Sequence, residues 1–155
     1  FRFEAMTDAL THLPNRRAWA ETLEREQRRS KRLGETTFIS IIDLDELKAV
    51  NDRKGHAEGD ELLRKTALAL RYAVRSSDFL ARVGGDEFAV LGVQCDSIDP
   101  EEVSARLRSS LQKAGISASV GTAVGRPSDS HTEVWASADA AMYRDKRKGR
   151  RVGCP

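Results

Sequence analysis

Several features that are common in proteins are scarce in this chain of 155 residues. Cysteine occurs only at Cys95 and Cys154, and the two form no metal-binding or redox motif. We therefore expect free thiols, as in a cytosolic protein. The longest apolar run, residues 38–42, is far shorter than the roughly 18 residues that a membrane span needs. We expect a cytoplasmic domain, but Phe1 is not a natural initiator, which leaves an N-terminal membrane anchor in a longer chain open.

An excess of charge of one sign is also lacking. The 26 Lys and Arg residues nearly balance the 24 Asp and Glu residues, for a net charge of +2. This balance does not indicate nucleic-acid binding, so no nucleic-acid partner is expected. Basic residues cluster at 25–32, interpreted as a solvated helix face, and at 144–151. Proline and glycine are spread thinly, without repeats or linkers, which predicts one compact domain.

Hydrophobic periodicity predicts elements in the order α–β–α–β–β–α–β–α–β. We expect Pro14 in the first turn of the first helix, a capping box of Ser130 and Glu133 opening the last helix, and Gly149 ending it. The central β–α–β–β–α–β portion matches the ferredoxin-like plan and predicts an α+β fold, with an antiparallel sheet and helices on one face. The predicted helices are 14–33, 46–52, 58–75, 100–114 and 130–148, and the predicted strands are 36–43, 79–83, 87–93, 116–124 and 151–154.

Two acidic residues are expected to meet at one edge of this sheet. Asp43 closes the first strand, and Asp86 lies at the tip of the hairpin made by the next two strands. In the ferredoxin-like plan the first strand lies beside that hairpin. Carboxylates brought together repel each other unless a cation lies between them, and Mg²⁺ is typically held by carboxylates and substrate phosphates. The pair therefore indicates a site where two metal ions activate a hydroxyl and stabilise a leaving phosphate.

The hairpin glycines, Gly84 and Gly85, carry no Cβ atom. They can therefore adopt positive φ and let a phosphate or a ribose approach the backbone. Simpler interpretations exist, because Gly-Gly-Asp is an ordinary hairpin turn and Asp43 alone is a common strand-end residue. Only the combination of these features favours a functional site.

Several motifs, in the right order and spacing, resemble the GGDEF domain family of diguanylate cyclases. Residues 84–88 carry the GGDEF signature that names the family. The resemblance spans residues 7–152 and implies the nucleotide-cyclase, palm-like version of the ferredoxin-like fold. The other matching segments are the entry motif 8–17, residues 43–52 with 55–56 and 59–60, and the closing motif 138–143 with Lys146, Gly149 and Arg150.

The resemblance implies that two GTP molecules condense to cyclic di-GMP, a bacterial second messenger, with release of pyrophosphate. Each domain of a face-to-face homodimer holds one GTP, and the 3′-hydroxyl of one GTP attacks the α-phosphate of the other. By resemblance, Asp43, Asp86 and the backbone carbonyl of Leu44 bind Mg²⁺, with Mn²⁺ as an alternative. Glu87 would lie against the substrate and assist deprotonation or ribose binding.

Asn51 and Asp60 match the family positions that read guanine. A carboxylate accepts hydrogen bonds from guanine N1 and N2, and an amide serves the other edge, which favours GTP over ATP. Asp60 also suits a helix N-terminal region as an acid that complements the helix dipole, and both roles are compatible. The resemblance places Leu47 beside the base, the glycines 84 and 85 against the nucleotide, and Lys48, Lys146 and Arg150 on the phosphates.

Residues 75–78, RSSD, match the family's product-inhibition motif. By resemblance, Arg75 would clamp a phosphate or a guanine edge of cyclic di-GMP, and Asp78 would accept from guanine. The simpler interpretation is an arginine at a helix end that pairs with a nearby aspartate.

The chain also departs from the family pattern, although at none of the expected metal ligands. His12 replaces a usual glycine, Leu47 replaces a common aromatic residue, and Asp145 stands where it could compete for the charge of Lys146. Two further departures are Val83 for a tyrosine and Arg151 for an asparagine. They bear on affinity and rate more than on reaction type.

Three functions fit the sequence. The first is an active cyclase, which the intact Asp43, Asp86 and Glu87 favour. The second is a catalytically weak module that binds GTP or cyclic di-GMP and regulates a partner. The third is an enzyme for a different cyclic dinucleotide, against which Asp60 counts. The family normally carries an N-terminal sensor or regulatory domain, so we expect residues 1–6 to end a connecting helix and residues 7–155 to be the catalytic domain.

Overall fold

The predicted strand 36–43 lies at the centre of a four-stranded antiparallel sheet. The computed structural model of the chain describes residues 4–152, with only the backbone of residues 4 and 150–152. Strand β1 (Thr36–Leu44) pairs with β3 (Glu87–Cys95) and β4 (Ala118–Gly125), and β2 (Phe79–Arg82) pairs with the far side of β3. The strand order β2-β3-β1-β4 and the connections confirm the α+β, βαββαβ prediction.

Five α-helices connect and flank these strands within residues 4–152, and a short 3₁₀ turn, Glu4–Met6, precedes them. The predicted order of elements is confirmed up to the last helix. The helices are α1 (Arg16–Leu33), α2 (Leu47–Lys54), α3 (His56–Ala73), α4 (Pro100–Lys113) and α5 (His131–Val152).

Helices flank the sheet on both faces, where the sequence analysis placed them on one face. Ile42 of β1 lies in the core formed with α3 and α4, whereas Ile41 lies in the core formed with α1 and α5. Both side chains are completely buried. The nearly unbroken apolar run of β1 is the sequence signature of a strand that is buried on both faces.

Helix α1 begins later than expected, because Asn15 is its N-cap. The Asn15 side chain accepts a hydrogen bond from the Ala18 N–H at 3.0 Å. Pro14 therefore lies outside the helix and pairs with Thr7 in an isolated β-bridge. A capping side chain outweighs the preference of proline for the first turn, since it satisfies an otherwise unpaired N–H group.

The start of helix α5 is as predicted, but its end is not. The Ser130 hydroxyl accepts from the Glu133 N–H at 3.2 Å, as expected for the capping box. The helix continues past Gly149 to Val152, so residues 151 and 152 of the predicted last strand are helical, while 153–154 lie outside the described residues. Glycine ends a helix where the backbone turns left-handed, and Gly149 does not have positive φ.

A buried histidine at the N-terminus of α5 forms a hydrogen bond to α1. The Nδ1–H group of His131 donates to the Leu23 carbonyl at 2.9 Å. Burial lowers the pKa of His131, although this hydrogen bond acts in the opposite direction. The two helices therefore form one covering layer over the sheet.

Two expectations from composition concern residues outside the sheet core. Cys95 is a free thiol, and Cys154 lies outside the described residues. None of the helices within residues 4–152 is both long enough and apolar enough to span a membrane.

Candidate active site

Asp43 and the GGDEF hairpin come together at one edge of the sheet. Asp43 of β1 lies opposite Glu87 of β3, and the Leu44 N–H donates to the Asp86 carbonyl at 3.0 Å. The hairpin tip is therefore held against the end of β1 by backbone pairing. The strand register brings Asp43 and Asp86 to the same edge, as expected from the sequence, and places Glu87 there with them.

A lysine from the far end of the chain also reaches this edge. The Lys146 Nζ atom of α5 donates to Asp43 Oδ2 at 2.8 Å, in an ion pair whose side chains are 26% and 13% exposed. Burial raises the pKa of Asp43; Lys146 opposes this rise, while the nearby Asp86 carboxylate adds to it. Of the two predicted α5 phosphate ligands, Lys146 is thus placed at the site, and the Arg150 side chain lies outside what the structure describes.

Glu87 completes a cluster of acids. Burial raises its pKa, and the negative charges of Asp43, Asp139 and Asp86 raise it further, against the opposing charge of Arg16. Carboxylates whose charges oppose one another in this way are stabilised by a bound cation. Among the described residues, no group of three or more Asp, Glu, His or Cys side chains forms a ready metal cage. Two carboxylates and the Leu44 carbonyl suit Mg²⁺, which usually takes its remaining ligands from water and phosphates.

The backbone conformation of the hairpin glycines differs from the sequence prediction. Neither Gly84 nor Gly85 adopts positive φ, and the Val83 and Gly84 N–H groups both donate to the Glu87 carbonyl, at 2.9 and 3.2 Å. A Cβ atom on Gly84 would lie 3.2 Å from the Glu87 Cβ, while one on Gly85 would meet nothing within 4 Å. The space at Gly85 leaves the backbone accessible to a ligand, which agrees with the prediction that a phosphate or a ribose could approach the backbone here.

Asn51 and Asp60 lie on adjacent helices that meet at a tight turn. The Gly55 N–H closes α2 on the Asn51 carbonyl at 3.0 Å, and Gly55, with φ of 89°, joins α2 directly to α3. The Asn51 side chain lies over Gly59, where a Cβ atom would be only 1.7 Å from Asn51 Oδ1. Asp60 directly follows Gly59 in α3, so Asn51 and Asp60 both lie at this helix junction. At the start of α2, Leu47 is half-buried against the core and Lys48 is exposed.

The entry motif is bound to the hairpin by contacts that the sequence analysis missed. Arg82 Nη1 lies 3.2 Å from both carboxylate oxygens of Asp8, and Arg82 Nη2 donates to the Gly85 carbonyl at 2.8 Å. The Arg82 N–H also donates to the Pro14 carbonyl at 2.9 Å. Burial alone would raise the pKa of Asp8, but hydrogen bonds from Thr11 and Arg82 lower it overall. No local pattern could predict this pairing, since the partners lie 74 residues apart.

Two departures from the family pattern have structural consequences. His12 has φ of 61°, a left-handed conformation that favours glycine and explains why glycine is usual there. Asp145 does not compete for Lys146, contrary to expectation. It accepts from the Val120 N–H at 2.9 Å and pairs with Arg108 at 3.3 Å.

The segment 75–78 forms a turn at the end of α3. Asp78 Oδ2 accepts from the Arg75 backbone N–H at 2.8 Å. This contact agrees with the simpler interpretation, an arginine at a helix end that pairs with a nearby aspartate, while the exposed Arg75 guanidinium forms no ion pair with any side chain between residues 5 and 149. Both side chains leave hydrogen-bonding groups available to a ligand.

A cavity of about 670 Å³ opens between α1 and α5, beside the hairpin. Its polar lining includes Arg16, Glu87 and Asp139, and its apolar lining includes Trp19 and Trp135. The two indole rings are 5.9 Å apart in an edge-to-face arrangement. No role was predicted from the sequence for Arg16 or Asp139, although Arg16 lies within the entry motif and Asp139 within the closing motif.

Comparisons with known proteins agree with this geometry. A family model described as diguanylate cyclase, GGDEF domain, matches residues 5–152. The diguanylate cyclase DgcP of Pseudomonas aeruginosa is 37% identical over 96% of this chain, which spans only 24% of DgcP.

Two solved structures have the same fold over almost the whole chain. The coiled coil and GGDEF domain of DgcB from Caulobacter crescentus, in complex with c-di-GMP, has a TM-score of 0.87 at 30% identity, covering 96% of this chain and 84% of that one. The diguanylate cyclase SiaD from Pseudomonas aeruginosa, in complex with its activator SiaC, has a TM-score of 0.86 at 35% identity, covering 96% of this chain and 60% of that one. The chain belongs to the GGDEF domain family of diguanylate cyclases.

Proposed function

We propose that this domain condenses two GTP molecules into cyclic di-GMP and pyrophosphate. The observation that carries the proposal is the meeting of Asp43, Asp86 and Lys146 at the sheet edge from which α2 leads to Asn51. Carboxylates that can bind a metal ion and a lysine that can bind phosphate therefore lie at this sheet edge, and the polar groups proposed for guanine follow along α2. DgcP and SiaD, both named diguanylate cyclases, support the same activity.

In each half-reaction, the 3′ oxygen of one GTP forms a bond to the α-phosphorus of the other. The bond from that phosphorus to the oxygen that bridges to the β-phosphate breaks, and its electron pair leaves with pyrophosphate. The hydroxyl proton passes by way of Glu87 to water, since Glu87 lies beside Asp43 in the strand register. Because each GTP is both nucleophile and electrophile, the reaction requires two copies of the domain, which we propose form a homodimer.

Asp43, Asp86 and the Leu44 carbonyl would hold Mg²⁺ or Mn²⁺. When bound, the metal would neutralise phosphate charge and lower the pKa of the attacking hydroxyl. Lys146 would then share its charge between Asp43 and the phosphates, while Lys48 and Arg150 would bind the outer phosphates. Gly84 and Gly85 leave the hairpin backbone open to the nucleotide.

Asn51 and Asp60 would read the guanine, with Leu47 as the apolar contact at the base. We expect Gly59→Ala to raise the Kd for GTP by about tenfold, equivalent to one lost hydrogen bond of about 1.4 kcal/mol. The new methyl group would displace the Asn51 amide, which overlaps it at 1.7 Å. The free energy of unfolding should change little because a side-chain end can move aside. Isothermal titration with GTP and thermal unfolding would measure both quantities.

Glu58→Ala, next to Gly59 but exposed, is the matched control and should leave the Kd for GTP unchanged. A Gly59→Ala domain that binds GTP as tightly as the wild type would contradict the assignment of Asn51 to guanine.

We further propose that cyclic di-GMP binds at Arg75 and Asp78 and inhibits the enzyme. The exposed Arg75 guanidinium and the c-di-GMP complex of the similar DgcB domain support this. We expect Arg75→Ala to raise the concentration of cyclic di-GMP that halves activity by about tenfold or more, because a charged hydrogen bond contributes about 1.5–3 kcal/mol. Initial-rate assays with added product would measure this.

Lys65→Ala removes an equal charge from an exposed position of α3 and should leave product inhibition unchanged. If Arg75→Ala and Lys65→Ala are inhibited alike, the inhibitory site lies elsewhere.

The assay that tests the enzyme itself is incubation with GTP and Mg²⁺ at high protein concentration, with detection of cyclic di-GMP and pyrophosphate. GTP binding without product would favour the alternative of a regulatory binding module. We also propose that residues 7–155 are the catalytic unit and that residues 1–6 belong to a connecting helix. A sensor or partner would then control how often two copies meet, since effective concentration determines encounter.

A further inference from the structure

The cavity between α1 and α5 contains a cation that the proposed reaction does not use. Arg16 lines this cavity together with Gly84 and Glu87 of the hairpin. Among the side chains that the structure describes, none forms an ion pair with Arg16, and Arg16 is exposed. An arginine that stays unpaired beside a catalytic hairpin is available to bind an anion.

The position of Arg16 is determined by the hairpin itself. Pro14, two residues earlier, accepts a hydrogen bond from the Arg82 N–H, and the Arg82 side chain holds both Asp8 and the Gly85 carbonyl. The entry segment and the hairpin therefore form one hydrogen-bonded unit, and Arg16 follows directly after its cap residue Asn15. This arrangement fixes the first turn of α1, and with it the Arg16 backbone, beside the hairpin.

The acidic residues that line the cavity do not form ion pairs with Arg16. Glu24, which also lines the cavity, pairs with Arg28 at 2.5 Å. Glu87 and Asp139 remain, neither of which forms an ion pair with Arg16, and the positive charge of Arg16 only partly opposes the rise in the pKa of Glu87 that burial causes. The guanidinium is thus near the acid edge, yet its donors are free for a ligand. Guanidinium groups bind phosphate oxygens with two parallel hydrogen bonds and stabilise charge that develops during phosphoryl transfer.

We propose that Arg16 is a catalytic residue that binds a non-bridging oxygen of the α-phosphate under attack. This inference rests on the proposed cyclase function. The bond changes are those given above, and Arg16 adds no covalent step: it stabilises negative charge on the α-phosphate as the bond to pyrophosphate lengthens. Arg16 and Gly84 line the same cavity, and a Cβ atom on the neighbouring Gly85 would meet nothing within 4 Å, so a phosphate can approach the hairpin backbone there.

The test compares Arg16→Ala, Arg16→Lys and Arg17→Ala in the whole chain. We expect Arg16→Ala to lower kcat by about 100-fold, as is typical when one charge-stabilising donor is removed, with a change of less than about threefold in the Kd for GTP. Arg16→Lys should recover part of this loss, because lysine keeps the charge but lacks the two-pronged geometry. Arg17 is exposed and pairs with Glu21 at 3.7 Å, so Arg17→Ala should keep wild-type kcat.

A second measurement separates contact with the α-phosphate from a structural role. Replacing a non-bridging α-oxygen by sulfur, as in GTPαS, should slow the wild type more than it slows Arg16→Ala for the diastereomer whose sulfur faces Arg16. Wild-type kcat in Arg16→Ala would overturn the inference while leaving the cyclase function intact. Equal loss in Arg16→Ala and Arg17→Ala would also overturn it, whereas a wild type that makes no cyclic di-GMP would overturn the cyclase function itself.

Discussion

Replacing Asp86 by alanine is expected to reduce cyclic di-GMP synthesis by roughly 1,000-fold or more. Asp86 is exposed at the hairpin tip, and its backbone carbonyl accepts from the Leu44 N–H at 3.0 Å. The substitution keeps that carbonyl, so the free energy of unfolding should change little. It removes one of the two carboxylates that would hold the metal, so the attacking hydroxyl and the leaving pyrophosphate both lose charge stabilisation.

Rates of pyrophosphate and cyclic di-GMP formation, measured with Mg²⁺ and then with Mn²⁺, would test this expectation. Asp96→Ala is the matched control, because Asp96 is an exposed aspartate that directly follows the other end of β3. It should retain wild-type activity. An Asp86→Ala domain with full activity would show that the metal assignment is wrong.

Gly121→Ala is expected to give the largest loss of stability, about 3 kcal/mol or more. Gly121 of β4 lies directly beneath α5, and a Cβ atom there would approach the Met142 backbone nitrogen to 2.0 Å and the Ala138 carbonyl oxygen to 2.4 Å. These are helix backbone atoms, so no side-chain rotation can relieve the overlap. Helix α5 would have to move away from the sheet, and Lys146 would move away from Asp43 with it.

Chemical unfolding in urea and a thermal melt would measure the loss, which corresponds to a decrease in Tm of about 6–12 °C for a domain of this size. Gly149→Ala, within α5 itself, is the matched control because a Cβ atom there meets nothing within 4 Å. It should stabilise the helix by about 0.5–1 kcal/mol, since alanine loses less backbone entropy than glycine. A Gly121→Ala domain as stable as the wild type would show that α5 does not pack tightly on β4.

The predictions that depended on local sequence were the most successful. The capping contact at Ser130, the start of α4 at Pro100 and the paired strands around residues 84–86 were all identified correctly. Each is determined by hydrogen bonds between residues a few positions apart, which a short stretch of sequence can specify. The apolar run of β1 also indicated a strand that is buried on both faces, although the sequence analysis placed helices on one face only.

The arrangement of charges, in contrast, was decided by the tertiary structure. Lys146 and Asp43 are 103 residues apart, and Asp8 and Arg82 are 74 apart. No sequence pattern indicated that Asp145 would form an ion pair with Arg108 rather than with its neighbour Lys146. The side-chain directions of residues on different elements depend on how helices pack against the sheet, and that packing follows from contacts such as Gly121 beneath α5.

The hairpin at residues 84–88 shows the same division. Its sequence was enough to indicate the family, the turn and the acids, because the signature is contiguous. The ferredoxin-like plan also predicted Asp43 beside it, whereas only the tertiary structure paired Lys146 with Asp43 and brought Arg16 to the same hairpin, since these side chains come from α5 and α1. Local hydrogen bonding determines what each segment becomes, whereas the close packing of distant segments determines which charges share a site.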